Sequence, residues 1–144
     1  MALHFAQLDS NNVVLQVIAV GEDVPTADGP LVDNPGHVDG ETYATTFGAG
    51  PWKQAFTDGT RKLFPSRYFT YDPVKDIFIT EQLYASWTLD SNSDWQPPIA
   101  KPSNPDEALY DVWWDEENER WVATNSTDSS APNKIWNTNT NSWD

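Results

Sequence analysis

Tyr110-Asp111-Val112-Trp113-Trp114-Asp115-Glu116-Glu117-Asn118-Glu119-Arg120-Trp121-Val122-Ala123 reads as two short strands joined by a polar turn. An Asp at the head of such a turn bonds its own backbone two residues on, and the residues after it are polar. The flanking residues alternate, as strands do. Trp114 and Trp121 then face each other across the hairpin, a pairing that contributes roughly 0.2–1 kcal/mol. The same device recurs along the chain, with the second large residue six or seven positions after the first: Leu8-Asp9 with Leu15, Tyr71-Asp72 with Phe78, Leu89-Asp90 with Trp95, and Trp136-Asn137 with Trp143. Phe56 and Leu63 around Asp58-Gly59 form a looser copy. The pattern predicts a mainly β chain: a small antiparallel β body followed by a string of short aromatic β-hairpins.

Outward from that segment, the organisation predicts an N-terminal β domain over 1–96, a Pro-rich connector over 97–106, and C-terminal Trp hairpins over 107–144 with a flexible Ser/Thr/Asn-rich link at 124–133. His4 to Leu8 and Val13 to Val20 form the clearest strand pair. The second run is β-branched and nearly continuous, which predicts the buried central strand. Residues 21–40, with three Pro and four Gly, read as loop. Glu41 to Phe47 reads as one or two helical turns with Tyr43 and Phe47 on one face. Hairpins follow over 67–80 and 83–96. A lone hairpin is marginal in water, so the last two are expected to lie on the body or on another subunit.

The chain has 144 residues, with 22 acidic and 8 basic side chains and a net charge of −14. That balance argues against nucleic acid or an anionic membrane as partner, because both need basic patches. It fits docking on a basic protein surface. Hydrophobic residues make up 38% of the chain and mean hydropathy is −0.61, low for a lone core, yet there are 8 Trp. Trp is seldom fully buried, so much ring surface is expected half-exposed or packed on a partner. With no Cys there is neither disulfide nor thiolate, and oligomerisation is the expected source of extra stability. No signal peptide and no apolar run of membrane-spanning length is visible.

The opening Phe5-Ala6-Gln7-Leu8-Asp9-Ser10-Asn11-Asn12-Val13-Val14, preceded by His4, resembles a family of small tailed-phage proteins frequent in marine cyanophages. Its members open on His-Phe-Ala-x-Leu-Asp-x-Asn-Asn-Val-Val. Further similar strings follow in order: Trp52-Lys53-Gln54, Arg61-Lys62, Tyr71-Asp72 with Asp76 and Phe78-Ile79, Ser86-Trp87 with Leu89-Asp90, Trp95 and Pro98, then Trp114-Asp115-Glu116-Glu117 with Trp121-Val122. The chain departs from the pattern in Leu3, in Ala44-Thr45-Thr46-Phe47 where a Phe-Cys pair is usual, and in the added hairpin over 124–144. The resemblance implies a protein of the phage particle, or one encoded beside it.

Each candidate site has a plain structural reading beside the functional one. Asp90-Ser91-Asn92-Ser93-Asp94 has the spacing of half a calcium loop, but Trp95 stands where that loop needs Gly and Lys101 where it needs Glu. A solvated turn is the better reading. The acidic run that includes Asp115 and Glu116 is a protected hairpin edge or a patch for a basic partner. Trp113, Trp114, Trp121, Trp136 and Trp143 are the interaction candidates, either pairing within the hairpins or meeting a partner. Trp113 and Trp114 are adjacent, so they face opposite sides of a strand, and one of them must point away from its own hairpin core. His4 and His37 have no second ligand at metal spacing, and no catalytic, nucleotide or cofactor motif is present. The expected protein is therefore not an enzyme and carries no cofactor or metal. It is an accessory structural protein on the exterior of a tailed-phage virion, made in the host cytoplasm. It would decorate the capsid or attach to a tail or fibre, oligomeric there and docked on other virion proteins. A glycan-binding receptor module of a fibre and a non-virion fibre-assembly helper are the alternatives.

Overall fold

The structure, a computed structural model, describes residues 2–26, 29–30 and 40–144. It is mainly β, with small antiparallel sheets and short helical turns, as the hairpin pattern predicts. The chain forms two compact units, 1–81 and 82–144. The break therefore falls before the hairpin near residue 90 and not at 96/97. The reason is local: Trp87 packs on Trp114 and Trp121, and Glu116 binds Ser86, so the 83–96 segment belongs with the C-terminal hairpins.

The first unit is built on β1 (Ala2–Leu8), β2 (Val14–Gly21) and, further on, β5 (Trp52–Ala55), in the order β2-β1-β5. Short strands β3 (Pro25–Thr26) and β4 (Gly29–Pro30) pair with each other, and α1 (Gly40–Ala44) runs into a single 3-10 turn at Thr45–Phe47. Tyr43 and Phe47 stack edge-on at 5.7 Å, as their spacing predicts. The central strand is β1, not the more β-branched β2. Trp52–Ala55 pairs with the free side of β1 through His4↔Ala55 to Gln7↔Trp52, which leaves β2 at the edge with Leu15 and Gln16 exposed. β1 alternates across the sheet. Phe5 joins Val20, Ala44 and Trp52 on one face, while Ala6 and Leu8 join Val14, Tyr71 and Phe78 on the other. Gly40 is required where it stands, because a Cβ there would lie 2.2 Å from Cζ of the fully buried Phe5. Of the loop expected over 21–40, most residues, His37 among them, lie outside the described residues.

The recurring turn is two devices, told apart by loop length. Leu8-Asp9-Ser10-Asn11 and Leu89-Asp90-Ser91-Asn92 are identical tetrapeptides with one hydrogen-bond pattern. In each, the Asp Oδ1 accepts from the N–H groups two and four residues on. The Asp N–H donates to the carbonyl four residues on. The residue three positions after the Asp is left-handed, Asn12 at φ 63° and Ser93 at φ 60°. This turn pairs residues six apart, Leu8↔Val14 and Leu89↔Trp95. Leu8 thus faces Val14, and Leu15, expected as its partner, turns outward at 44% exposure. The second device begins at Asp72, Asp115 or Asn137 and turns left-handed four residues later, at Asp76, Glu119 and Asn141. It pairs rings seven apart, with centroids at 5.4 Å for Tyr71/Phe78, 5.2 Å for Trp114/Trp121 and 5.4 Å for Trp136/Trp143. The Tyr71 pair belongs to the hairpin β6 (Thr70–Asp72) and β7 (Ile77–Ile79). Asp58 caps a turn onto Thr60, but no strand pair follows; after the turn the chain bonds to β7 instead, Phe78 N donating to Arg61 O at 3.1 Å. The expected sixth hairpin is absent.

The second unit holds the hairpin β8 (Thr88–Leu89) and β9 (Trp95–Gln96). It also holds a four-stranded meander of β10 (Tyr110–Asp115), β11 (Arg120–Asn125), β12 (Lys134–Asn137) and β13 (Ser142–Trp143). The terminal hairpin docks on its own neighbour through Val122↔Ile135 and Ala123↔Lys134. Two expected tethers are fastened. The connector over 97–106 is held by Trp121 Nε1 donating to Ile99 O at 2.7 Å and Trp143 Nε1 donating to Ser103 O at 2.9 Å. The 124–133 segment turns through caps at Asn125 and Asp128 and a bond from Ser126 N to Leu109 O.

Candidate functional site

The proposed interaction residues separate into sealed and open ones. Trp114 and Trp121 are each 4% exposed. Alternation along β10 and β11 puts both on one sheet face, where Trp87 covers them edge-on at 6.2 Å and at a tilt at 6.3 Å. Of the two readings open to them, pairing within the hairpin or meeting a partner, the structure places both in the core of the unit. Trp87 Nε1 is buried without a nitrogen or oxygen partner, and the adjoining ring faces are weak acceptors for such an N–H. Trp136 and Trp143 are half-buried against each other at 67°. None of these pairs is coplanar in a common groove, the arrangement that would mark a stacked glycan site; they face each other across strands.

Trp113 is the open one. It is 44% exposed on the opposite face of β10 from Trp114, and its Nε1 donates to Thr124 Oγ1 across the strand at 2.9 Å. That bond fixes the ring on the sheet. Register places Asp111 and Trp113 opposite Thr124 and Val122, with Ile135 beyond. β10 is an edge strand, so the face carries one fixed aromatic ring and a carboxylate beside an open edge.

The acidic run is mostly structural work for its own hairpin. Asp115 accepts from Asn118 Nδ2 at 2.8 Å and Arg120 Nε at 3.0 Å, and these hold its carboxyl below the usual range, Asn118 first. Glu116 accepts from Ser86 N at 2.8 Å, Ser86 Oγ at 2.7 Å and Trp114 Nε1 at 2.7 Å. Those donors, Ser86 foremost, lower its carboxyl too. Glu117 and Glu119 are exposed at the turn.

The first unit holds a charge network that no spacing in the sequence announces. Arg61 donates to Glu41 Oε2 at 2.8 Å, to Gln54 O at 2.8 Å and to Asp76 Oδ1 at 2.9 Å. Gln54 N and Lys53 Nζ also reach Glu41. Tyr71 donates its hydroxyl to Asp76. Burial, then that bond to a carboxylate, pushes the Tyr71 phenol up to about 12. The same bond, with Arg61 beside it, lowers Asp76. Each charge has a partner, and Arg61 also stacks over Phe56 and Tyr71, so the network braces β5 against the turn at 58–61. Its bonds reach up to twenty positions along the chain, from Glu41 to Arg61, and only the fold brings such residues together. His4 packs edge-on against Phe64 at 5.3 Å, a structural role.

The Asp90 turn spends Oδ1 on two backbone N–H groups, and Gln96 Nε2 donates to Oδ2; it is a solvated turn, as expected. Among the described residues, no group of three or more His, Cys, Asp or Glu is placed to hold a metal ion, and no helix is long and apolar enough to cross a membrane. Comparison with protein-family models, with curated proteins and with solved structures finds no match to this chain.

Proposed function

We propose that this chain is an accessory structural protein on the exterior of a tailed-phage virion, acting by protein–protein docking. The resemblance of its opening and of the later strings to small cyanophage proteins supports the particle setting. The observation that carries docking is Trp113: a large ring, held in place by Thr124 and left exposed on an edge strand with Asp111 on the same face. Fixed aromatic rings lose little entropy on contact and dominate interfaces. With eleven acidic against three basic side chains in 82–144, the fitting partner is a basic surface of a capsid, tail or fibre subunit. A repeated lattice would strengthen a weak contact by avidity.

The docking residues of this reading are Trp113, Asp111 and the exposed Glu117 and Glu119. Trp114 and Trp121 support the sheet from behind. The test is occupancy on particles assembled with Trp113→Ala. A fall of about tenfold or more, the scale of one aromatic anchor, with an unchanged folded spectrum is expected. Unchanged occupancy would remove Trp113 from the interface.

A further inference from the structure

The three-stranded sheet of the first unit has two edges, and they differ. At β5 the outer groups of Gln54 are capped by side chains: its N–H donates to Glu41 Oε2 at 2.6 Å and its C=O accepts from Arg61 at 2.8 Å. At β2 the cover stops after the first residue. Val14 N donates to Phe69 O at 2.7 Å and Val14 O accepts from Tyr68 N at 2.9 Å.

Backbone alternation tells which groups of residues 15–21 point outward. Leu8 N donates to Pro51 O, so Leu8, Ala6 and His4 turn their main-chain groups toward β5. Gln7, Phe5 and Leu3 therefore bond β2, at Gln16, Ile18 and Val20. Val17, Ala19 and Gly21 are left facing away from the sheet. The Gly21 C=O is used by Val24 N at 3.2 Å. Among the described residues, none bonds the outer N–H and C=O of Val17 or of Ala19. Ala19 is exposed and Val17 half-buried.

An edge of this kind is a template for another strand, and edges are ordinarily blunted by Lys, Pro or an inward charge. Leu15-Gln16-Val17-Ile18-Ala19-Val20-Gly21 has none of these. The missing charge also narrows the occupant, because a basic partner has no carboxylate to recognise along this run. A second copy of the chain fits it. Antiparallel pairing about a two-fold axis at Ile18 sets Val17 opposite the second copy's Ala19, and Ala19 opposite its Val17. Every open N–H of these residues then meets an open C=O, and the two Ile18 side chains meet as a close non-hydrogen-bonded pair. The net charge of −14 does not oppose this register at the contact. The nearest carboxylates in sequence, Glu22 and Asp23, follow the run and go to opposite ends of the paired strands. Glu22 stands opposite the second copy's Val14, so the two Glu22 positions are about 25 Å apart along the strands, beyond a Debye length at physiological salt.

We infer that the β2 edge is a self-association site, at which two copies of this chain join through antiparallel β2 strands into one continuous sheet. The inference depends neither on the virion reading nor on Trp113.

The test is sedimentation equilibrium of the full chain from about 1 µM to about 1 mM, the span from moderate to weak affinity. NMR amide exchange at Val17 and Ala19 is read at a low and a high concentration. A monomer–dimer equilibrium is expected, with both amides exchanging severalfold more slowly in the dimer. Ala19→Pro removes an outward N–H and leaves the β1 ladder intact, a position where an edge strand tolerates proline. It should weaken association by about tenfold or more, since two main-chain bonds are lost per dimer. Ala19→Lys supplies the usual edge protection at an exposed position. It gives a second reading if the proline perturbs the fold, and it too should shift the equilibrium to monomer. Trp113→Ala should leave the equilibrium unchanged. A monomer throughout the range would overturn the site. So would a dimer that neither Ala19 substitution weakens, or one whose Val17 and Ala19 amides exchange as fast as the monomer's. Slow exchange of both amides in a chain that stays monomeric would put another segment of the same chain on the edge and overturn it equally.

Discussion

Glu116 shows how a residue in a charge run can be a structural anchor. Its carboxylate gathers three donors from Ser86 and Trp114, and so ties the start of the second unit to the hairpin turn. Its folded pKa is lowered from the ordinary 4.5, chiefly by Ser86. A carboxyl lowered on folding adds stability above its unfolded value, and that stability is lost as pH falls through the folded value. The second unit is therefore expected to keep this contribution above pH 4.5 and to lose it on acidification below. Asp115 and Asp128, lowered in the same direction, add to the same limb. Urea unfolding followed by Trp fluorescence should show a shallower acid limb for Glu116→Gln than for the wild type. Equal limbs would mean that the Ser86 contact carries no stability. The sequence marked Glu116 as an interaction candidate on charge alone. Its true partner lies thirty positions upstream, and no local pattern encodes that pairing. Trp113 was more legible: adjacency to Trp114 in a strand forces one ring outward, and the structure selects Trp113.

At the scale of the element, the hairpins were readable because Asp or Asn between large residues has a local cause, a side chain that bonds its own backbone. Loop length was the part left unread. A separation of six and one of seven are different devices, and in the first hairpin the shorter one pairs Leu8 with Val14 in place of the expected Leu15. The repeated Leu-Asp-Ser-Asn was the available signal, since it fixes the shorter turn at both sites. Asp90→Ala would leave two turn N–H groups without their acceptor, and a loss of about 1–2 kcal/mol is expected in urea unfolding. Millimolar calcium should leave the melting temperature unchanged, because the Asp90 oxygens are already engaged; a clear upward shift would restore the calcium-loop reading. Strand order was illegible for a different reason. β2 has the stronger β composition, but the central place goes to the strand with two partners, and Trp52–Ala55 arrives from more than forty residues away.

At the scale of the whole molecule, composition suggested a chain short of core, with Trp faces waiting for a neighbour. Instead the indoles act inside each hairpin and as donors to the connector. Trp121 and Trp143 fasten the Pro-rich connector to the hairpins it precedes. On the docking proposal, the second unit would present chosen points, Trp113 foremost, and would not bury a string of loose hairpins on a partner. The boundary was misplaced because it was set by the prolines, while the packing of Trp87 sets the real one. The measurement that tests the central claim is quantitative mass spectrometry of purified phage particles. The account predicts this chain in tens to hundreds of copies, near the count of the major capsid protein for decoration or at small multiples of three or six for a tail or fibre part. Absence from purified particles that otherwise carry their full set of structural proteins would contradict it and favour an assembly helper.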